Sequence, residues 1–361
     1  MELLVRYIKC LVFSLGIIIS GLCPTKNMRR KIRELFNLDR KQSTRSLFIN
    51  HRKAGKIYLP IYPGAFEPKR QKPEIYNKDG EKMNTYFIRT KNQVGFSKYF
   101  IWDYYNYNLP EQFYTQECML ETMGNPQKRY GLFIESESII PATYKIFDKN
   151  KGLEKDFDLI FTHTERFLEK FDNARLVPYC AGIWYSIKDP NGNNNEPVKD
   201  WYENKNKNIS IVSSAKVMCE LHKLRINWAK QCKQNGWADT FGNFDGGKIV
   251  PIGESLKNYR YSIAIENQIE PYWFTEKIVN CFATMTIPVY IGATKIDRFF
   301  NPDGIIQVSP KDYDHLEKII KKCTKEYYDE RLDIVKENYY KAFQFENIND
   351  FMYLNYLKDN E

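Results

Sequence analysis

The sequence predicts an α/β protein built on parallel sheets. Short apolar runs rich in β-branched and aromatic residues recur along the chain, and helical stretches separate them. The clearest unit, Tyr261 to Val308, reads strand, polar loop, helix, strand. Parallel strands need a crossover that returns the chain to the same end of the sheet, and alternation of this kind supplies it. At 361 residues there is room for two domains and additional segments.

The elements follow in chain order. Leu11 to Leu22 is strongly apolar, with Arg6 and Lys9 before it and Pro24 after it. It is shorter than the roughly 20 residues of a spanning helix, and no small-residue cleavage site follows it. Behind it, Met28, Ile32, Leu35 and Phe36 recur at helical spacing among Lys26, Arg29, Arg30, Lys31 and Arg33. A basic amphipathic helix of this kind suits an anionic membrane surface, and equally a solvated charged face. The adjoining apolar run favours peripheral attachment to the cytoplasmic face of a membrane, with a type II membrane protein as the alternative. Residues 1–46 are therefore set apart as a membrane-associating segment.

From Leu47 a globular pattern begins. Tyr86–Ile88, Tyr99–Trp102, Gly131–Ile134 and Phe157–Phe161 are expected strands, with helices over Glu111–Thr122 and Glu165–Phe171. Asp189 to Asn208 is polar, carries Pro and Gly, and lacks apolar period, which marks a linker or excursion. Domains are accordingly expected over 47–200 and 201–345. Charged helices are expected over Leu316–Tyr328 and Arg331–Phe345, before a tail at 346–361.

Composition narrows the function. A net charge of +9 permits nucleic acid as a partner, but Lys and Asn are spread throughout and no nucleic-acid motif is present, so none is expected. The eight cysteines form no CxxC pair and the four histidines have no ligand spacing, which argues against a structural metal and for a reducing compartment. Cys219 and Cys281 fall in apolar patterns and are expected to be buried thiols. Asn208-Ile209-Ser210 is a formal glycosylation acceptor, as chance alone would supply in so Asn-rich a chain.

Within Tyr261–Val308 the polar group Glu266-Asn267-Gln268 falls at a strand's carboxyl end, where open α/β sheets place ligand groups. Thr275 is an expected N-cap, which puts Glu276 and Lys277 in the first turn of the next helix. Exposed N–H groups, the helix dipole and the lysine charge would favour an anion such as a diphosphate. A solvated Glu-Lys pair on an ordinary crossover is the other reading, and the physics leaves both open.

These residues carry a resemblance. IEN, WFTEKI, TIPVYIG and FFNPDGII, at fixed spacing over nearly fifty residues, resemble the donor-binding signature of the family 10 glycosyltransferases, the α-1,3/4-fucosyltransferases, in a bacterial-type member. The resemblance spans roughly Ile209 to Val308. It implies a GT-B-like architecture, two Rossmann-like domains facing a cleft, with the acceptor on 47–200 and the nucleotide sugar on 201–345. It further implies an inverting transfer of L-fucose, or a related sugar, from a GDP-sugar to a glycan hydroxyl in surface polysaccharide or glycoconjugate synthesis, with no metal required.

The same resemblance distributes the roles. Glu135, directly after the strand GLFI, matches the general-base position, with Glu137 two residues on and on the same face of an extended chain. Glu266, Asn267, Trp273, Thr275, Glu276 and Lys277 fall in the donor signature. Ser213-Ser214-Ala215-Lys216 and Leu221–Arg225 resemble a strand-end element and a helix with a phosphate-facing arginine, which makes Lys216 and Arg225 donor-binding. A turn at Phe241-Gly242-Asn243 and Gly246-Gly247-Lys248 is expected near the nucleotide. Trp273-Phe274 and Gln268 depart from the family pattern beside the donor, so GDP is better supported than fucose. Asp156-Phe157-Asp158 keeps a metal-dependent GT-A reading open, although its place suggests strand-entry polarity. A non-catalytic carbohydrate- or membrane-binding protein is the remaining alternative.

Overall fold

The computed structural model describes residues 83–358 apart from 91, 93, 105–108, 121–126, 150–151 and 185–204, together with Leu15, Gly16, Ile19, Leu22, Cys23, Met28, Lys31, Ile32 and Leu35. Most of the expected N-terminal segment and of the Asp189–Asn208 linker lies outside the described residues. Of those near the N-terminus, all but Cys23 are helical, and Leu15, Leu22, Met28 and Leu35 are exposed. Among the described residues no helix is long and apolar enough to cross a membrane.

The chain divides into two compact units. The first comprises residues up to Ile134, Pro141–Thr162 and Leu168–Arg175. The second comprises Glu135–Ile140, His163–Phe167 and everything from Leu176 onward. Each holds its own sheet, and the α/β expectation is met in both.

The first unit's sheet contains β1 (Asn84–Arg89), β2 (Phe100–Asp103), β3 (Glu111–Thr115), β4 (Lys128–Leu132), β5 (Leu159–Thr162) and β6 (Ala174–Leu176), in the order β2-β1-β3-β4-β5-β6. The pairs β1–β2, β1–β3, β3–β4 and β4–β5 run parallel. Helix α1 (Pro141–Lys149) precedes β5 and α2 (Glu165–Lys170) precedes β6. The core is aromatic: Tyr86, Phe100, Trp102, Phe113, Tyr130 and Phe161 are buried and meet in edge-on, tilted and stacked pairs. Much of the chain's aromatic content therefore goes to interior packing, where large rings bury the most apolar area.

One sequence expectation is corrected here. Glu111–Thr122 is not a helix; Glu111–Thr115 is strand β3, followed by a 3-10 turn over Gln116–Leu120. The run EQFYT is buried at four of its five positions because it lies between β1 and β4, and sheet pairing overrides its helix-compatible polar start. The expected strands at Gly131–Ile134 and Phe157–Phe161 exist but have ends displaced by one to three residues.

The second unit's sheet contains β7 (Lys207–Val212), β8 (Asp239–Phe241), β9 (Tyr259–Ile265), β10 (Ile287–Ile291) and β11 (Ile306–Gln307). Their order is β11-β10-β9-β7-β8, with every neighbouring pair parallel. Its helices are α3 (Glu220–Asn235), α4 (Glu276–Ala283), α5 (Leu316–Ile320), α6 (Lys325–Asp329), α7 (Leu332–Ala342) and α8 (Ile348–Tyr356). From β7 the chain moves one way to β8, then returns to the other side of β7 as β9. The carboxyl ends of β7 and β9 therefore flank a topological switch point, where loops diverge and leave room for a ligand. Trp228 and Cys232 of α3 join Ile209, Ile211, Ile263, Ile265 and Val289 of the strands in one buried cluster.

Three further differences concern this unit. The helix expected over Leu316–Tyr328 is two, because Thr324 leaves the helical path and its hydroxyl caps α6 by accepting from Tyr327 N–H at 3.1 Å. The segment after 345 is not simply a tail: it contains α8, fastened by Tyr179 Oη to Asn349 Oδ1 at 2.7 Å and by Tyr356 Oη to Leu176 O at 2.9 Å. These bonds draw residues from Leu176 onward into the second unit, ahead of the boundary that composition indicated. Cys281 is buried as expected, whereas Cys219 is only half-buried at the N-cap of α3.

Gly242 shows why a glycine follows β8. Its φ is +94°, and a Cβ there would lie 2.1 Å from the carbonyl oxygen of Ser213, at the carboxyl end of β7. Its neighbour Asn243 accepts from Ala215 N–H at 3.1 Å. The expected turn thus packs directly on the switch point.

Candidate active site

The site grows from the carboxyl end of β9. Glu266, the residue after the strand, is fully buried. Its Oε1 accepts from Thr275 N–H at 2.9 Å and its Oε2 from the Thr275 hydroxyl at 2.8 Å. Lys277 Nζ lies 3.5 Å from Oε2. Space for this carboxylate requires Gly292 on the neighbouring strand end, where a Cβ would stand 2.6 Å from Glu266 Cγ. Burial raises the Glu266 carboxyl above its ordinary range, and Lys277 opposes that rise.

Thr275 is the N-cap of α4, as the sequence indicates. Its Oγ1 accepts from Lys277 N–H at 3.3 Å and from Lys277 Nζ at 2.9 Å. Burial works against the lysine charge, but Glu276 and Glu266 outweigh it and hold the ammonium above the ordinary lysine value. Lys277 remains about a quarter exposed, at 24%, with Glu276 Oε1 3.2 Å from its Nζ. A full positive charge is therefore fixed at the mouth of the switch point by a carboxylate beneath it.

The expectation of bare helix N–H groups is corrected. Glu276 N–H donates to Cys180 O at 2.8 Å, and Lys277 N–H is taken by the cap. An anion at α4 would therefore be drawn by the ammonium more than by open backbone donors. The pairing with Cys180 is long-range in sequence, so no local signal announces it.

Arg225 of α3 also reaches the carboxyl end of β9. It is 7% exposed, its Nη1 donates to Ile265 O at 3.1 Å, and its Nε is buried without a partner. Its charge acts on Glu266 and Glu276. Lys216, on the loop after β7, is exposed and close enough to act on both Glu135 and His222.

Trp273 lies in the interior. It is 1% exposed and packs against His163 with ring centroids 4.3 Å apart. Glu266 and Trp273 are both buried beneath the β9–α4 loop. Burial also pushes the His163 imidazole down to about 3, which keeps it neutral under the tryptophan.

Glu135 and Glu137 are separated by the structure. A turn closes over Ser136–Ile140, with Ile139 N–H and Ile140 N–H both on Ser136 O at 3.1 Å, so the two carboxylates do not share one face. Glu137 is held by Arg166, whose Nη2 lies 3.0 and 2.9 Å from its two oxygens. Glu135 instead feels Lys277, Glu276 and Lys216; burial, with Lys277 opposing, raises its carboxyl above the ordinary range. The same loop is tied to the β9 end by Ser138 N–H to Gln268 Oε1 at 2.6 Å and Ser138 Oγ to Asn267 O at 3.3 Å.

Two residues escaped the sequence reading. His222 of α3 meets Asn267 Oδ1 at 2.8 Å. Glu270 is pushed up to about 7, first by burial and then by nearby Glu137. Both stand within or beside the quoted motifs, but nothing in their spacing signals the contact. Asp158 accepts from Arg129 N–H at 2.7 Å through Oδ2, which fits the strand-entry reading of the D-x-D element. Among the described residues no three His, Cys, Asp or Glu side chains gather as metal ligands.

Parts of the chain are similar to known proteins. Residues 202–349 match the model of glycosyltransferase family 10 (fucosyltransferase), C-terminal part. Over 103 residues the chain is 30% identical to 3-galactosyl-N-acetylglucosaminide 4-alpha-L-fucosyltransferase FUT3 of Pan troglodytes, covering 26% of this chain and 27% of that protein. It is 31% identical over 98 residues to 4-galactosyl-N-acetylglucosaminide 3-alpha-L-fucosyltransferase FUT6 of Homo sapiens, covering 24% and 27%. It is 30% identical over 77 residues to alpha-(1,3)-fucosyltransferase FucT of Helicobacter pylori, covering 21% and 16%. The matches thus span about a quarter of the length of the first two relatives and less of the third. A solved α1,3-fucosyltransferase with GDP is similar at 17% identity and a TM-score of 0.46, covering 82% of this chain and 93% of that one. Residues 202–349, all but the first few of them described in the second unit, are thus similar to the C-terminal part of glycosyltransferase family 10.

The clamp predicts its own failure mode. Glu266→Ala removes the acceptor for two buried donors and one of the two carboxylates that face Lys277, and breaking a buried pair typically costs about 3–5 kcal/mol. Denaturant unfolding should show a loss of that size, and Glu266→Gln a smaller one. A Glu266→Ala variant as stable as the parent would contradict the assignment.

Proposed function

We propose that the protein is an inverting glycosyltransferase that moves L-fucose, or a closely related sugar, from its GDP conjugate to a glycan hydroxyl. The observation that carries this is the pairing of a fixed cation with a raised carboxylate. Lys277 is anchored by Glu266 and Thr275 at the switch point, and Glu135 lies within its electrostatic reach. In the reaction the bond between the sugar's anomeric carbon and the diphosphate breaks as the acceptor oxygen attacks from the opposite face. Negative charge collects on the departing GDP, and Lys277 and Arg225 stabilise it, an effect that counts most where the charges are held in place beforehand. Glu135 takes the acceptor's proton. Glu276 holds donor hydroxyls after exchanging its contact with Lys277, and Asn267 orients the sugar. Protein cations fill the role that a metal ion plays in metal-dependent transferases.

The acceptor, and a role in surface polysaccharide or glycoconjugate synthesis, extend this reading. So does peripheral binding to a membrane's cytoplasmic face, which the exposed Met28 and Leu35 and the lysine and arginine residues around them support.

Transfer from GDP-fucose to a panel of glycans in excess EDTA tests the chemistry. Wild type should turn over, and Glu135→Gln should lower kcat by roughly 10²-fold. Because Glu135 works only when ionised and its carboxyl is raised, kcat/KM should fall as pH drops through a midpoint above the ordinary value of about 4.3. Activity that vanishes in EDTA and returns with manganese would shift the assignment to Asp156 and Asp158, and an unchanged kcat would exclude Glu135. Co-sedimentation with phosphatidylserine vesicles should require residues 1–40; equal binding without them would refute the membrane reading.

A further inference from the structure

His222 stands at the crossing of three loops. It is 3% exposed, in the first turn of α3. Its Nδ1 is 3.1 Å from Met218 N, and a backbone N–H only donates, so Nδ1 must be the acceptor. The proton of the neutral ring therefore sits on Nε2, which donates to Asn267 Oδ1 at 2.8 Å. Asn267 in turn accepts from Ser138 on the Glu135 loop through its carbonyl. One imidazole thus joins the Lys216 loop, the β9–α4 loop and, through Asn267, the loop that carries Glu135.

We propose that His222 is a positioning residue that, as the neutral Nε2–H tautomer, fixes the Lys216 loop and Asn267 in the arrangement that receives the donor. The proposal rests on the donor-site reading above. A second proton would sit on Nδ1 and face the Met218 N–H, donor against donor, so the bridge to the Lys216 loop cannot survive it. The surroundings oppose that proton. Burial acts first, and Arg225 on the same helix, Lys277 on α4 and Lys216 on the β7–α3 loop add positive charge; the Asn267 contact is the counterweight. The net effect holds the imidazole below its ordinary value. With a lowered value the bridge is intact above the ordinary histidine pKa of about 6.5 and is lost as pH falls through the folded-state value.

Two conservative substitutions divide the bridge. Asparagine places an oxygen near Nδ1 and keeps the Met218 contact; glutamine reaches the Nε2 position and keeps the Asn267 contact. With only four histidines in the chain, imidazole 15N spectra of the full-length protein labelled at histidine read the tautomer directly. A ring protonated on Nε2 that stays neutral below pH 6.5 and disappears in His222→Gln is expected. Calorimetry with GDP at pH 7.5 should show affinity reduced about tenfold in His222→Asn and His222→Gln, and more in His222→Phe, which keeps the ring's bulk but neither hydrogen bond. An Nδ1–H tautomer, or ordinary titration near 6.5, would overturn the proposal. So would a His222→Phe protein of lower Tm whose folded fraction binds GDP as wild type does, because that is the mark of packing alone. If the wild type binds no GDP, the donor reading fails, and the tautomer and its titration still judge the bridge.

Discussion

A carboxylate with no solvent exposure organises the second unit. Glu266 sits at the end of β9, where β7 and β9 diverge, and both its oxygens are engaged by Thr275. A buried charge left without partners would be far too costly to persist. The chain therefore has to supply a helix start, a hydroxyl and a cation within reach, and Thr275, Glu276 and Lys277 are that supply. Gly292 is the steric counterpart, since a side chain there would collide with Glu266 and with Tyr290. Thr275 is the hinge of the group, since it donates to Glu266 and accepts from Lys277.

The electrostatic consequence is two cations held in place at the carboxyl end of β9. Lys277 is held above its ordinary pKa by two carboxylates although burial disfavours it, and Arg225 adds a second charge beneath the β9 end. On the proposed reading, neither cation would have to be ordered when a diphosphate arrives, which would lower the reorganisation cost of binding and of the transition state. The same field reaches the Glu135 carboxyl, raised by burial and restrained by Lys277. Acid and cation are thus matched in one neighbourhood, while Glu137, close in sequence, is committed to Arg166.

Much of this was legible in the sequence because it is local. The strand–loop–helix–strand order of Tyr261–Val308, the Thr275 cap and the first-turn placement of Glu276 and Lys277 depend on neighbours a few residues away. What was not legible depends on distant partners. Cys180 occupies the Glu276 N–H, His163 covers Trp273, and Asn267 finds His222 across forty-five positions. Glu111–Thr115 was misread as helix because its polar start hides a strand whose identity comes from β1 and β4 on either side. The complete burial of Glu266 likewise follows from packing that its place in the sequence does not reveal.

The central claim to test is that Lys277 and Arg225 hold a nucleoside diphosphate. Calorimetric titration of GDP into wild type, Lys277→Ala, Arg225→Ala and Glu135→Gln measures this most directly. Loss of a charge-assisted bond to phosphate should weaken GDP by about tenfold or more in each of the first two variants, and leave Glu135→Gln near wild type. Unchanged GDP affinity in Lys277→Ala and Arg225→Ala, with both variants folded, would contradict it.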